Sequence, residues 1–226
     1  MNDLICLKNV TRDYVVDEQT VITPARDVSL DISRGEFIMI IGRSGSGKTT
    51  LLNLAAGLIR PSAGEVIIDG TNIWKISNGQ QSRLRNRKIG FVFQYPSLLA
   101  SLTALENVVM PAFLAPGNGS ADPYDRAGKL LDMMGLSNRL HAYPKHLSSG
   151  EQRRVVIARS LMNKPEILMA DEPTSDLDVQ TEKEIMSMLA DCNKSGVTVL
   201  MITHGLELVP YAGRVYKMEN GALQPL

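Results

Sequence analysis

The stretch Gly42-Arg43-Ser44-Gly45-Ser46-Gly47-Lys48-Thr49 fits G-x-x-x-x-G-K-[ST], the pattern of a loop that wraps a phosphate. It constrains the fold, because such a loop works only between a buried strand and a helix. Phe37 to Ile41 reads as the strand, an unbroken apolar run, and Thr50 to Leu58 reads as the helix. In that setting backbone N–H groups and a helix N-terminus converge on an anion, Lys48 adds a point charge, and the Thr49 hydroxyl ligates Mg²⁺. A Gly/Ser-rich turn that binds nothing does not require these flanks. The residues predict a nucleoside triphosphate site over 42–50, Thr50 included, and leave open what the binding drives.

Composition narrows the class. The 226 residues suit one domain with a substantial core. Lys plus Arg and Asp plus Glu both number 24, so no net field draws the chain to nucleic acid or anionic lipid. The densest basic run, Arg83-Leu84-Arg85-Asn86-Arg87-Lys88, reads as a solvated face or partner contact, and no nucleic-acid partner is expected. Only Cys6 and Cys192 occur, far apart and without C-x-x-C, as in a reduced cytosolic protein with partly buried thiols. The N-terminus carries an early acid and no basic region, which argues against a signal segment, and no apolar run approaches the roughly 20 residues of a membrane span.

Strand-length apolar runs recur at Ile89–Phe93, Ile167–Ala170, Val197–Thr203 and Val215–Met218, with helical patterns between several of them. This predicts a three-layer α/β domain around a mostly parallel sheet. Leu4–Leu7 and Val28–Ile32 alternate like exposed antiparallel strands, and Gly64–Gly70 adds another, so a small β layer is expected beside the core. Asn220-Gly221 signals a hairpin turn. The middle of the chain has helical spacing at Ala127, Leu130, Leu131 and Met134, is broken at 115–120, and reads as a helical insertion. The expected organisation of 1–226 is one domain: an α/β core with its β layer at 1–93 and 160–226, and a helical subdomain at 94–159.

A phosphate loop needs an acid to hold Mg²⁺ and a group to orient water. Ile167-Leu168-Met169-Ala170-Asp171-Glu172 supplies both: the apolar strand carries Asp171 to the sheet's C-terminal edge, and Glu172 follows, placed to accept a proton. An Asp-Glu pair after a strand is by itself often just the start of a loop. Coupled to the phosphate loop it becomes the second half of a site.

Taken together, these motifs resemble the nucleotide-binding subunits of ATP-binding-cassette (ABC) transporters along essentially the whole chain. The resemblance implies an α/β P-loop NTPase with a RecA-like core, a small antiparallel β layer and a helical subdomain insertion, hydrolysing ATP with Mg²⁺. Gln94, after Phe91-Val92-Phe93, matches the Q-loop, with implied contacts to Mg²⁺ or water. Leu147-Ser148-Ser149-Gly150-Glu151-Gln152 matches the signature motif, Ser175–Asp178 the D-loop, His204 the switch histidine, and Tyr14 the aromatic that stacks on adenine. Glu172, His204, Lys48 and Gln94 are thereby the expected catalytic residues. Thr49, Gln94 and Asp171 are the expected Mg²⁺ ligands, and Tyr14, residues 42–50, Ser148, Ser149, Gly150 and Asp178 the expected nucleotide contacts. His141 and His146 match no motif and read as surface residues.

The chain departs from the family pattern at the signature, where Ser149 and Glu151 replace Gly and Gln, and at Gly205, where Asp is usual after the histidine. Ser148-x-x-Glu151 is also a capping box, opening a helix over Gln152–Met162. Unless that cap holds it, the Glu151 carboxylate opposes a polyphosphate. Asp178 likewise suits a helix cap, and the two roles are compatible.

Arg87–Gln94, Leu102–Val108 and Ala170–Thr174 resemble the branch of macrolide-exporter, lipoprotein-releasing and cell-division ATPases. That likeness implies a head-to-tail homodimer around two ATP molecules, each completed by Ser148 and Gly150 of the other copy. It also implies a membrane permease seated in a groove near Tyr95, Leu98 and Leu99, and a cytoplasmic chain, peripheral on the inner face of the membrane. The output is export or a mechanical stroke. Control of an extracellular enzyme or sensor, and nutrient import, are alternatives that these residues leave open. A soluble ABC ATPase acting on DNA or ribosomes usually carries a coiled coil or a second cassette, and the sequence shows neither.

Overall fold

The structure, a computed structural model, describes residues 3–17, 20–114 and 122–226. The expected break at 115–120 lies outside the described residues. Two sheets organise the molecule. The central one runs β10-β9-β3-β8-β7-β6, from β3 (Phe37–Ile41), β6 (Ile89–Val92), β7 (Ile167–Asp171), β8 (Thr198–Thr203), β9 (Arg214–Glu219) and β10 (Ala222–Pro225). All its pairings are parallel except β9 with β10. That last pair turns through Asn220-Gly221, both at positive φ (49° and 81°), the geometry that suits a two-residue hairpin.

A parallel sheet is covered on both faces, so its strands read as continuous apolar runs whose side chains divide by period two. Phe37, Met39 and Ile41 face one core with Leu168, Ala170, Val199 and Met201. Ile38 and Ile40 face the other with Ile167, Met169, Leu200 and Ile202. Each fully buried aliphatic side chain here contributes about 1.5–3 kcal/mol relative to exposure.

The second core is closed by α1 (Lys48–Ala55) and by the antiparallel sheet β2-β1-β4-β5, formed from β1 (Asp3–Val15), β2 (Val21–Ser33), β4 (Ala63–Ile68) and β5 (Thr71–Asn72). The expected β layer is present, but its first strands are not exposed: Leu4, Ile5, Leu7, Val10, Val28 and Leu30 are buried against α1 and the central sheet. Irregular pairing between Asp3 and Ile5 breaks the alternation, which is why both Leu4 and Ile5 point inward.

The opposite face carries α3 (Ala104–Phe113), α4 (Pro123–Met133), α5 (Ser149–Ser160) and α6 (Val179–Lys194). Ala127, Leu130, Leu131 and Met134, the residues with helical spacing, are all buried there. The basic run ends α2 (Asn78–Lys88) and is not a uniform solvated face. Arg85 donates to the Gly57 carbonyl at 3.0 Å. Lys88 and Arg34 form an ion cluster with Asp69 and Glu166 that ties the β layer to the start of β7. Lys88, and Arg34 beside it, hold the Asp69 carboxyl below its ordinary range. Cys6 and Cys192 are free thiols, half-buried and buried, both pushed up to about 11 chiefly by burial.

Candidate functional site

The C-terminal edge of the central sheet collects the site. β3 leads into the phosphate loop, and α1 starts two residues earlier than sequence pattern suggests, at Lys48. Gly47 is its N-cap, at φ 105°, with no side-chain cap, so the amides of the first turn stay open to an anion. No other residue fits there: a Cβ on Gly47 would lie 1.8 Å from the Pro24 carbonyl oxygen of β2. Gly42 is similarly required, since a Cβ would meet the Met218 carbonyl oxygen of β9 at 2.5 Å. The Ser46 Oγ is buried without a protein partner inside the loop, a donor that suits a phosphate oxygen.

Lys48 is 5% exposed and its Nζ donates to the carbonyls of Gly42 (2.7 Å) and Arg43 (3.1 Å). It also lies 3.8 Å from Glu172 Oε1. The Thr49 hydroxyl donates to Asp171 Oδ1 at 3.4 Å, bringing two of the three expected metal ligands side by side at the end of β7. Burial is the main cause that raises the Asp171 pKa. The adjacent Glu172 charge adds to the rise, whereas the Thr49 bond and Lys48 oppose it.

Glu172 takes a left-handed backbone (φ 44°), held by its N–H donating to the Ile202 carbonyl at 2.9 Å. Such a conformation in a non-glycine residue is costly and is maintained by its surroundings. It turns the carboxylate between Lys48 and His204, whose Nδ1 sits 2.8 Å from Glu172 Oε2. The family's usual Asp after that histidine is absent, and the Glu207 carboxylate packs over Gly205: a Cβ there would be 2.5 Å from Glu207 Oε1. Arg43, Ser44, Gly45, Ser46, Gly47, Lys48, Thr49, Thr50, Gln94, Glu172 and His204 line one open cleft of about 650 Å³, with Pro24 at its wall.

Beyond the phosphate loop and the acids of β7, five expected contacts lie outside that cleft. Tyr14 is 38% exposed on β1, with the Arg12 guanidinium 4.5 Å over its ring. Asp178 caps α6, accepting from the amides of Gln180 and Thr181 at 3.0 Å each. Ser148, Ser149 and Gly150 open α5, which begins at Ser149, three residues before the expected Gln152. Its capping box is complete: Ser148 Oγ accepts from the Glu151 amide at 3.2 Å, and Glu151 Oε2 accepts from the Ser148 amide at 2.8 Å. The other carboxylate oxygen accepts from Arg139 Nε at 2.9 Å. These bonds, the Ser148 amide first, lower the Glu151 pKa.

Sequence reasoning missed three side chains that position the site. Arg153 of α5 is 4% exposed and donates to the carbonyls of Phe93 and Gln94, fixing the backbone that carries Gln94. Six residues further along α5, Arg159 donates to the carbonyls of Pro96 and Ser97. Asn107 of α3, buried, donates to the carbonyls of Leu99, Leu102 and Thr103. In sequence they are ordinary helical polar residues, and only the tertiary fold shows which loop they grip. His141 and His146 are exposed, as expected.

A strand–loop–helix phosphate seat, a buried lysine and two acids at the sheet edge define a P-loop nucleoside triphosphatase. Residues 25–175 match the family model described as ABC transporter, and the chain belongs to that family of ATPases. It is 43% identical over 218 residues to the macrolide export ATP-binding/permease protein MacB of Pectobacterium atrosepticum, covering 96% of this chain and 33% of that protein. The chain thus spans about a third of the length of that relative. The lipoprotein-releasing system ATP-binding protein LolD of Rickettsia bellii is 42% identical over 223 residues, covering 98% of both chains. Among solved structures, the dimeric post-hydrolysis state of the ATP-binding cassette MJ0796 bound to ADP and Pi superposes with a TM-score of 0.89 at 39% identity. That match covers 97% of this chain and 96% of the other.

Proposed function

We propose that this chain is the ATP-hydrolysing subunit that powers a separate membrane permease, for export or for a mechanical stroke across the membrane. The observation that carries the reading is Glu172, held by a strained backbone between Lys48 and His204 over an uncapped helix start. Lys48 binds carbonyls that a phosphate oxygen can replace, and the loop amides with Ser46 Oγ supply further donors for the β- and γ-phosphates. Glu172 accepts the proton of the attacking water, and His204, bonded to its far oxygen, orients it. Thr49, Asp171 and Gln94 supply hard oxygen donors that would hold Mg²⁺. Bound there, the ion offsets charge on the transferring phosphoryl group.

Ser148, Ser149 and Gly150 are exposed or at the helix start and lie outside the cleft. We place them on the nucleotide of a second copy, in a head-to-tail homodimer; the cassette structure that the chain resembles is dimeric. Tyr14 and Asp178 complete the nucleotide contacts from the rim. Residues 94–159 serve as the helical subdomain that carries motion between this shared site and the partner.

No helix among the described residues is long and apolar enough to cross a membrane. The permease reading rests on the likeness to the exporter and lipoprotein-releasing ATPases. Its seat is the segment after Gln94, where Tyr95 (71%) and Leu99 (48%) are exposed while Leu98 packs on the core and Asn107 fixes the loop. The chain then works on the cytoplasmic face, held to the membrane by that partner. Purification in detergent tests this: the tagged chain should bring down one polytopic membrane protein, and Tyr95→Asp with Leu99→Asp should lose it while still hydrolysing ATP. A chain whose membrane partner is unaffected by that double change docks elsewhere.

A further inference from the structure

We propose that Arg139 is a positioning residue for the shared nucleotide site: it holds the Glu151 carboxylate back, so that the start of α5 stays electropositive toward the nucleotide of the second copy. The proposal rests on the head-to-tail reading above. Glu151 immediately follows Gly150, so its charge is within one helical turn of the surface offered to that nucleotide. Both of its oxygens are engaged. One accepts from the Ser148 amide, which is all a capping box requires. The other is taken by Arg139, which arrives from a different segment, the short 3-10 turn Ser137–Arg139 after α4.

Charge arithmetic shows why the second bond matters. A helix start carries about half a positive charge from its unpaired amides. A carboxylate in the first turn outweighs that, leaving about half a negative charge; one arginine returns the sum to about half a positive charge. Arg139 therefore decides the sign of the local field, whereas local geometry is maintained by the cap. Its side chain is 51% exposed, so its loss removes little packing and the effect is screened by solvent. The arginines of α5 itself are committed elsewhere: Arg153 to the Phe93 and Gln94 carbonyls, Arg154 to Glu184 at 3.7 Å, and Arg159 to the Pro96 and Ser97 carbonyls.

The test reads ATP-driven dimerisation by light scattering in a Glu172→Gln background, over a series of Mg-ATP concentrations. Adding Arg139→Ala should raise the ATP concentration at half-dimerisation about two- to fivefold, with nucleotide affinity of the monomer unchanged. Adding Glu151→Gln to that variant should restore the parental midpoint, because glutamine keeps the cap oxygen and removes the charge. Arg139→Lys should stay near the parent. A merely structural arginine gives no such rescue. An unshifted midpoint in Arg139→Ala, or a shift that Glu151→Gln does not reverse, overturns the proposal. A Glu172→Gln parent that stays monomeric at saturating Mg-ATP overturns the head-to-tail reading itself, a result distinguishable from the other two.

Discussion

Helices α1 and α5 begin with opposite chemistry. The first turn of α1 has a left-handed glycine in place of a side-chain cap, no acidic residue, and a buried lysine turned back on its own loop. The first turn of α5 is closed by a full capping box and carries an acid. One is a ready anion seat within a single chain. The other satisfies itself locally and presents only its outer surface, as suits a group that meets a nucleotide held by another copy. In the proposed dimer the two starts are two ways to face a phosphate: one leaves its donors open, the other caps them and balances the charge.

The contrast is sharpened most by Glu172, the acid that follows β7 and faces the α1 seat. Glu172→Gln should lower ATP turnover by about 10²–10⁴-fold, the usual contribution of a positioned base, while calorimetry still registers Mg-ATP binding. Turnover near wild type would remove Glu172 from the reaction. Lys48→Ala deletes a charge-assisted donor, and Mg-ATP affinity should fall by roughly 10- to 100-fold; unchanged affinity would mean that the α1 seat is not where the phosphates sit.

The next effect concerns the fold of the seat. Gly47→Ala forces a Cβ against Pro24 at a φ that alanine resists, and should lower Tm by roughly 2–12 °C in calorimetric scans. Full stability in that variant would show that the close β2 approach is not structural.

How far the sequence reveals these features follows from how local each one is. The phosphate loop, Asp171-Glu172 and the Ser148–Glu151 box are each written in consecutive residues, and periodicity places them at strand or helix ends. Legibility fails where contacts are distant in sequence. The buried face of β1 depends on an irregular pairing near Leu4, the basic run on Glu166 and Asp69, and the fate of the Glu151 charge on Arg139. The grip of Arg153 and Arg159 on 93–97 depends on how α5 crosses that loop.

The smallest effect is in the caps. Glu106, bonded first by the Thr103 amide, and Glu151, bonded first by the Ser148 amide, both have pKa values below the usual 4.5. Depressed carboxyl values mean that their contribution is fully present above pH 4.5 and disappears as pH falls through the lower folded values. Thermal melting should therefore lose stability with acid below pH 4.5, and Glu106→Gln with Glu151→Gln should flatten that slope. An unchanged slope would place the acid sensitivity elsewhere.

The central claim is that one chain holds half a site and a second copy the other half. Mixing two inactive chains tests it most directly. Lys48→Ala disables the α1 seat, and Ser149→Glu adds an exposed charge at the start of α5 without disturbing its cap. Neither should hydrolyse ATP alone, whereas an equimolar mixture should regain turnover, because one of the two sites in a mixed dimer joins an intact seat to an intact signature. A mixture as inactive as its components would contradict the account.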